Sequence, residues 1–309
     1  MEMMNVKQLT KKYGSTNVLK GINLTIYQGE VFGFVGHNGA GKSTLIHILT
    51  DIVNKSGGSF EILGIPDQHM NQVKKRVGVM PDISNLYENM KGIDFLRYMG
   101  ELSLANSSKE YYLSLMRDVG LEGAEWKKIK SYSFGMKKKI SIAQALLGNP
   151  ELIILDEPTS GLDPESAIEI RNMITELQKS GKTIFLTSHN LDEIEKICDR
   201  VGILSEGVIK KLGTPRELKI AANESKEAIG LIIRTKPVLT ADHISQISDD
   251  LDINISFLHT KKDYTFLKVT SEDGLPQLSK KIMESGILLY EVKMEEQSLE
   301  EVFMNTKEE

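Results

Sequence analysis

The sequence predicts an α/β layered domain over residues 1–220, with a helical subdomain inserted at about 88–130, followed by a small α+β domain. Three observations predict it. Apolar runs of strand length alternate with amphipathic helical stretches from about 4 to 218. One of those runs leads into a glycine-rich turn that opens a helix. Beyond Pro215 the pattern turns to short strands and two helices in a fixed order.

Residues 31–35 form an apolar run that reads as a buried strand. Leu45, Ile48, Leu49 and Ile52 then recur at helical spacing, which predicts a helix with one apolar face. Two further buried strands are expected at 152–155 and 183–187. Between them and the first strand, 88–130 looks all-helical. Ser107 with Glu110 forms a capping box there, and Gly120 stands where a C-cap belongs.

Residues 221–227 are polar and read as a linker. From 228 to 309 strands are expected near 228–234, 253–258, 264–269 and 288–294, with helices near 241–249 and 276–284. That order, β-α-β-β-α-β, is the ferredoxin-like arrangement. A closing helix at about 298–305 puts Leu299, Val302 and Phe303 on one face, a stripe that most often packs on its own domain.

A chain of 309 residues is long enough for two separate cores. With 40% hydrophobic and 26% charged residues it has the composition of a soluble globular protein. The net charge of −5 supplies no electrostatic reason to expect nucleic acid as a partner. The one cysteine, Cys198, has no second thiol to pair with, which suits a reducing cytoplasm. Residues 1–9 carry no signal-peptide core, and an apolar stretch such as 228–233 is far short of the ~18–20 residues that span a bilayer. The chain is therefore expected not to cross a membrane; a partner would have to hold it at one.

Gly36-His37-Asn38-Gly39-Ala40-Gly41-Lys42-Ser43 matches G-x-x-x-x-G-K-[ST]. Backbone N–H groups of such a loop converge on phosphate oxygens, and the following helix aims its positive dipole end at them. Lys42 reaches the β/γ-phosphates, and the Ser43 hydroxyl can ligate Mg²⁺. Residues 152–157, Leu-Ile-Ile-Leu-Asp-Glu, form an apolar strand ending in two carboxylates. Such a pair can divide the work, Asp156 holding the metal and Glu157 polarising the attacking water. These two motifs predict a P-loop nucleotide triphosphatase.

Tyr132-Ser133-Phe134-Gly135-Met136 precedes the second strand by about twenty residues and opens a helix with Ile140, Ala143 and Leu147 on one stripe. It resembles the LSGGQ signature of ATP-binding cassette proteins. Ser160-Gly161-Leu162-Asp163 resembles their D-loop, His189 their switch histidine, and Tyr13, ahead of the first strands, the aromatic that stacks on adenine. The resemblance covers about 4–218.

It implies an ATPase whose cofactors are ATP and Mg²⁺. The ATP-binding set would be Tyr13, Val18, Gly36, His37, Asn38, Gly39, Ala40, Gly41, Lys42, Ser43, Thr44 and Asp156. Ser133 and Gly135 would act on the ATP of a second cassette subunit facing head to tail. Glu157 would be the general base, with His189 on the γ-phosphate and Asp163 signalling across the dimer. Ser43, Asp156 and Asp82 are the expected metal residues. An integral membrane permease is the implied partner, holding the chain on the cytoplasmic face of the membrane.

Two residues depart from the family pattern. Asp82 stands where the family carries glutamine, and Phe134 replaces the first glycine of the signature, leaving its N–H but adding a ring. Tyr132, Met136 and the ending Ser298-Leu299-Glu300-Glu301-Val302-Phe303 resemble the bacterial branch serving drug, antibiotic and bacteriocin exporters. The competing classes are less well matched. Soluble tandem cassettes need a second P-loop, and none follows Leu218. Chromosome and DNA-repair ATPases insert long coiled coils, and the Lys42–Ser133 interval is too short for one. An importer subunit is disfavoured only by the branch resemblance. Residues 228–309 are expected to regulate or stabilise the assembly, since every phosphate-handling motif precedes Leu218.

Overall fold

The computed structural model describes residues 1–81, 86–103, 107–224, 229–248, 251, 254–295 and 298–305. The chain divides into two compact units, with Met1–Pro215 forming the body of one and Arg216–Met304 the other. Pro215, at the end of the first, opens a helix, Pro215–Glu224. Proline suits a first helical position, where its fixed φ is helical and no N–H is missed. Residues 221–224, expected as linker, are thus helical; 225–227 lie outside the described residues.

In the first unit six strands lie side by side in the order Val208–Gly213, Arg200–Ser205, Val31–Gly36, Thr183–Ser188, Leu152–Asp156 and Val77–Met80. All neighbours are parallel except the first pair. Val31–Gly36 and Thr183–Ser188 are buried along their whole length, the reason their sequences read as unbroken apolar or small runs. Because these strands are parallel, the loops after Gly36, Asp156 and Ser188 leave the same edge of the sheet. In open α/β sheets that edge is where ligands bind.

A second, antiparallel sheet pairs Thr16–Tyr27, Glu2–Tyr13, Gly57–Ile62 and Ile65–Pro66. Tyr13 therefore ends the first strand, at a hairpin, rather than preceding the strands. Met4, Leu9, Ile22, Phe34, Leu45, Ile48 and Phe185 belong to the core shared by the two sheets and the helix Lys42–Leu49. Ile52 does not join that helical face. The helix ends at Leu49, Asp51 takes a left-handed φ of 60° that breaks the helical phase, and Ile52 is 66% exposed.

Among its described residues the inserted region is only partly helical, with helices Gly92–Leu102 and Lys109–Asp118 and a 3₁₀ turn, Ile129–Ser131. Ser108, not Ser107, caps the second helix, accepting the Tyr111 N–H at 3.3 Å. Ser107 is one residue too early, and its own N–H donates to Tyr112 Oη. Gly120 does close that helix: its N–H donates to Arg117 O and that of Leu121 to Met116 O, both at 2.8 Å.

The second unit orders its strands Ile255–Lys261, Tyr264–Val269, Ile229–Lys236 and Leu288–Met294, all antiparallel. Helices Ala241–Ser248 and Leu275–Glu284 bury Ile244, Ile247, Leu278 and Ile282 against Leu231, Ile233, Leu267 and Val269. This is the ferredoxin-like arrangement. In the closing helix, Leu299–Asn305, Leu299, Val302 and Phe303 are buried.

Candidate functional site

The loop after Val31–Gly36 is shaped by close approach and by one backbone angle. A Cβ on Gly36 would stand 2.7 Å from Leu204 O, so only glycine lets the strands lie so close. Gly41, which caps the helix Lys42–Leu49, has φ 114°, a left-handed conformation that side chains rarely allow. Ala40 N–H donates to His37 O at 3.1 Å and tightens the turn. Lys42 is buried and folds back over the loop, its Nζ donating to Gly36 O at 2.6 Å and to His37 O at 3.4 Å. Burial pulls the Lys42 pKa down, and the nearby Glu157 and Asp156 carboxylates oppose that shift.

Val18, His37, Asn38, Gly39, Gly41, Lys42, Ser43, Thr44 and Glu157 line one cavity of about 260 Å³. Glu157 reaches that lining from just after the strand Leu152–Asp156, while Asp156 itself is not among the lining residues. Asp156 Oδ1 accepts from Thr187 Oγ1 at 2.6 Å, and the same hydroxyl accepts the Glu157 N–H at 3.0 Å. Thr187 is fully buried on the neighbouring strand, directly opposite Asp156. Glu157 itself has φ 49°, rare for a residue with a side chain. Its Oε2 lies 2.8 Å from His189 Nδ1, and its Oε1 lies 3.8 Å from Lys42 Nζ.

The segments carrying Glu157 and His189 are tied together behind the site. Thr159 Oγ1 donates to the buried Glu193 carboxylate, which also pairs with Arg171 at 3.0 Å. Asn190 Oδ1, next to His189, caps the helix Leu191–Ile197 by accepting the Glu193 N–H.

Ser133, Gly135 and Asp163 do not line the cavity; they form a second group. Ser133 caps the helix Phe134–Ala145, its Oγ accepting the Met136 N–H at 3.2 Å. A Cβ on Gly135 would come within 3.0 Å of Ser166 Oγ, and Ser166 donates both Oγ and N–H to the Asp163 carboxylate. Those bonds hold Asp163 below the usual carboxylate range. The Phe134 ring is 47% exposed and folds over the turn at Gly161, where an added Cβ would meet it at 3.0 Å.

Tyr13 stands apart from the cavity lining, half-exposed with Lys11 Nζ 4.6 Å over its ring. Asp82 lies outside the described residues. The lysines at 137–139 differ in surroundings. Lys137 pairs with Glu88 at 2.6 Å and Lys139 with Glu169 at 2.9 Å, but Lys138 is 2% exposed and donates to Glu157 O at 2.6 Å. Its burial has a signal in the sequence: Lys138 shares helical phase with Gly135, Ile142 and Ala145, which are all buried. Thr187 has no such signal, because its role comes from strand register.

Residues 19–160 match the family described as ABC transporter. Over 206 residues the chain is 45% identical to an uncharacterized ABC transporter ATP-binding protein of Nostoc; the match spans 65% of this chain and 61% of that relative, less than two thirds of its length. Over 312 residues it is 31% identical to the bacitracin transport ATP-binding protein of Bacillus licheniformis, spanning 98% and 96% of the two chains. A solved ATP-binding subunit of an ABC transporter is similar with a TM-score of 0.64 and 30% identity, over 71% of this chain and 93% of that one.

Proposed function

The chain belongs to the ABC transporter family of ATP-binding proteins, and on that premise we propose that it hydrolyses MgATP as the motor subunit of a membrane exporter. The observation that carries this reading is the position of Glu157. Its backbone is gripped at both N–H and C=O, and its carboxylate lies between His189 and Lys42 at the wall of the phosphate-sized cavity. A water drawn against the terminal phosphate would find its base there, with the His189 ring steering the carboxylate. Lys42 supplies a buried counter-charge, and the loop N–H groups supply the remaining phosphate donors. Catalysis of this kind rests on positioning and charge stabilisation.

The residues fit Mg²⁺ as well. Ser43 and Asp156 offer one hydroxyl and one carboxylate, and among the described residues no cluster of three or more His, Cys, Asp or Glu exists, so phosphate oxygens and water would complete the shell. The metal would neutralise charge on the phosphates.

A second cassette subunit is proposed as partner because Ser133, Gly135 and Asp163 lie apart from the cavity of their own chain. Ser133 opens a twelve-residue helix whose N-terminus suits a phosphate presented from outside. A membrane-embedded permease is the other partner. No helix among the described residues is long and apolar enough to cross a membrane. A groove of about 220 Å³, whose lining mixes Met70, Met99 and Leu147 with Lys74, Lys75 and Gln144, would seat a cytoplasmic segment of that permease, with Tyr98 and Leu102 exposed on the same helix as Met99. On this reading the chain sits on the inner face of the membrane, held there by the permease. The likeness to a bacitracin transport protein supports export of a drug or peptide. The Arg216–Met304 unit is proposed to regulate or stabilise the assembly.

The test is MgATP turnover by the purified full chain. Glu157→Gln should keep ATP binding and lower turnover by about 10²–10⁴-fold. Near-normal hydrolysis by that variant would take Glu157 out of the role and the reading with it.

A further inference from the structure

We propose that Lys138 is a positioning residue for the general base, tying Glu157 to the helix that carries the signature. The proposal rests on the ATPase reading above.

Four observations carry it. Lys138 is 2% exposed, and an ammonium so deeply placed needs strong acceptors; Glu157 O, at 2.6 Å, is one of them. The residue it grips is held in an unusual backbone conformation, φ 49°, which side-chain-bearing residues keep only when their surroundings enforce it. The Glu157 N–H goes to Thr187 Oγ1, so Lys138 and Thr187 hold the peptide groups on either side of the Glu157 Cα. Finally, Lys137 and Lys139 pair with the carboxylates of Glu88 and Glu169, so within the run it is Lys138 that reaches Glu157.

Phe134 takes part in this arrangement. Its ring centroid is 5.9 Å from Lys138 Nζ while its edge covers Gly161, so the ring stands beside the ammonium and the turn after Glu157. The residue that departs from the signature pattern thus walls the contact between the signature helix and the strand-end carboxylates.

The mechanical consequence follows from the helix being one rigid piece. Ser133 caps Phe134–Ala145, and Lys138 projects from the same helix. A phosphate engaged at the Ser133 end from a second subunit would set the height of Lys138, and through it the tilt of the Glu157 carboxylate toward His189. The site that receives the neighbour's ATP and the base that acts on the chain's own ATP would then be joined by one hydrogen bond.

Steady-state and single-turnover ATPase measurements on the full chain test this. Lys138→Met keeps the apolar stem and removes the donor; it should lower kcat about ten- to a hundredfold while KM and ATP affinity stay within about twofold. Lys138→Gln keeps an N–H donor and should recover part of that loss. In a Glu157→Gln background Lys138→Met should add little, because the group it positions is gone. The proposal is overturned by a Lys138→Met kcat within twofold of wild type, by a matching loss of ATP affinity, by equal losses in the Met and Gln variants, or by full additivity with Glu157→Gln. If the Met variant does not fold, the Gln variant alone decides: reduced kcat at unchanged ATP affinity supports the link, and wild-type kcat removes it. A wild-type chain without MgATP turnover would instead remove the parent reading, which keeps the two failures apart.

Discussion

The two units of the chain bury polar groups on different terms. In Met1–Pro215 the buried polar side chains include four formal charges, Glu30, Lys42, Lys138 and Glu193. In Arg216–Met304 they are, among the described residues, the hydroxyls of Thr235 and Thr265. Both hydroxyls serve one residue: Leu239 N–H donates to Thr235 Oγ1 at 3.2 Å, and Thr265 Oγ1 donates to Leu239 O at 3.0 Å. A neutral hydroxyl that closes a loop is an inexpensive device. A buried charge is not, and persists where a strong partner or a charged ligand answers it. The two carboxylates are answered by arginines, Glu30 by Arg200 and Glu193 by Arg171; Lys42 donates to Gly36 O with the Glu157 carboxylate 3.8 Å away, and Lys138 donates to Glu157 O. The difference is one of composition: the first unit buries paired charges, and the second buries apolar side chains with two bridging hydroxyls.

The comparison can be broken most decisively at Lys42. Its ammonium now rests on Gly36 O and His37 O, acceptors that a phosphate would outcompete. Lys42→Ala should lose about 2–5 kcal/mol of ATP binding, the usual cost of removing one partner of a desolvated charge pair. Titration with labelled MgATP measures it. An unchanged affinity would mean the buried charge serves the fold of the first unit and no ligand.

What the sequence discloses also differs between the units. In the second unit the strand and helix positions agree with the structure to within three residues, the widest gap being the strand expected at 253–258, which runs Ile255–Lys261 with a register shift at Phe257. In the first, the parallel strands are legible as continuous apolar runs and the P-loop as a motif. The pairing of Glu2–Tyr13 and Thr16–Tyr27 into a separate sheet is not, since register shifts near Leu9 and a left-handed Gln8 disturb the period of two. The site is legible where one segment supplies it, as with Gly36–Ser43. It is hidden where register or helical phase supplies it, as with Thr187 opposite Asp156 and Lys138 in a lysine run. Glu157 is visible as a carboxylate, but its left-handed backbone is a property of the folded site alone.

A smaller effect is expected at Thr265. Thr265→Val removes the donor and leaves the buried Leu239 carbonyl without that bond, which costs about 1–3 kcal/mol. Denaturant unfolding of the full chain measures the loss, and ATP affinity in the folded variant should match wild type. A fall in affinity would show that the second unit contributes to the nucleotide site, and the division of labour between the units would fail.

The smallest effect sharpens the contrast through pH. Burial is the main influence on Glu30 and raises its pKa above the ordinary 4.5, against the Tyr27 N–H and the Arg200 guanidinium, which both lower it. Because the folded chain then holds that proton more tightly than the unfolded chain, the associated stability is fully present below the ordinary value and is lost as pH rises through the raised one. Glu30→Gln keeps an acceptor for the Tyr27 N–H at 2.7 Å but cannot titrate. Unfolding of both proteins between pH 4 and 8 should therefore show the stability of wild type, relative to the variant, declining as pH rises out of the ordinary carboxylate range. Thr265→Val, in which no titrating group changes, should show no such slope against wild type. A wild-type advantage that grows with pH would mean that Arg200 outweighs burial, and Glu30 would then be a paired surface-like carboxylate rather than a charge the first unit carries at a cost.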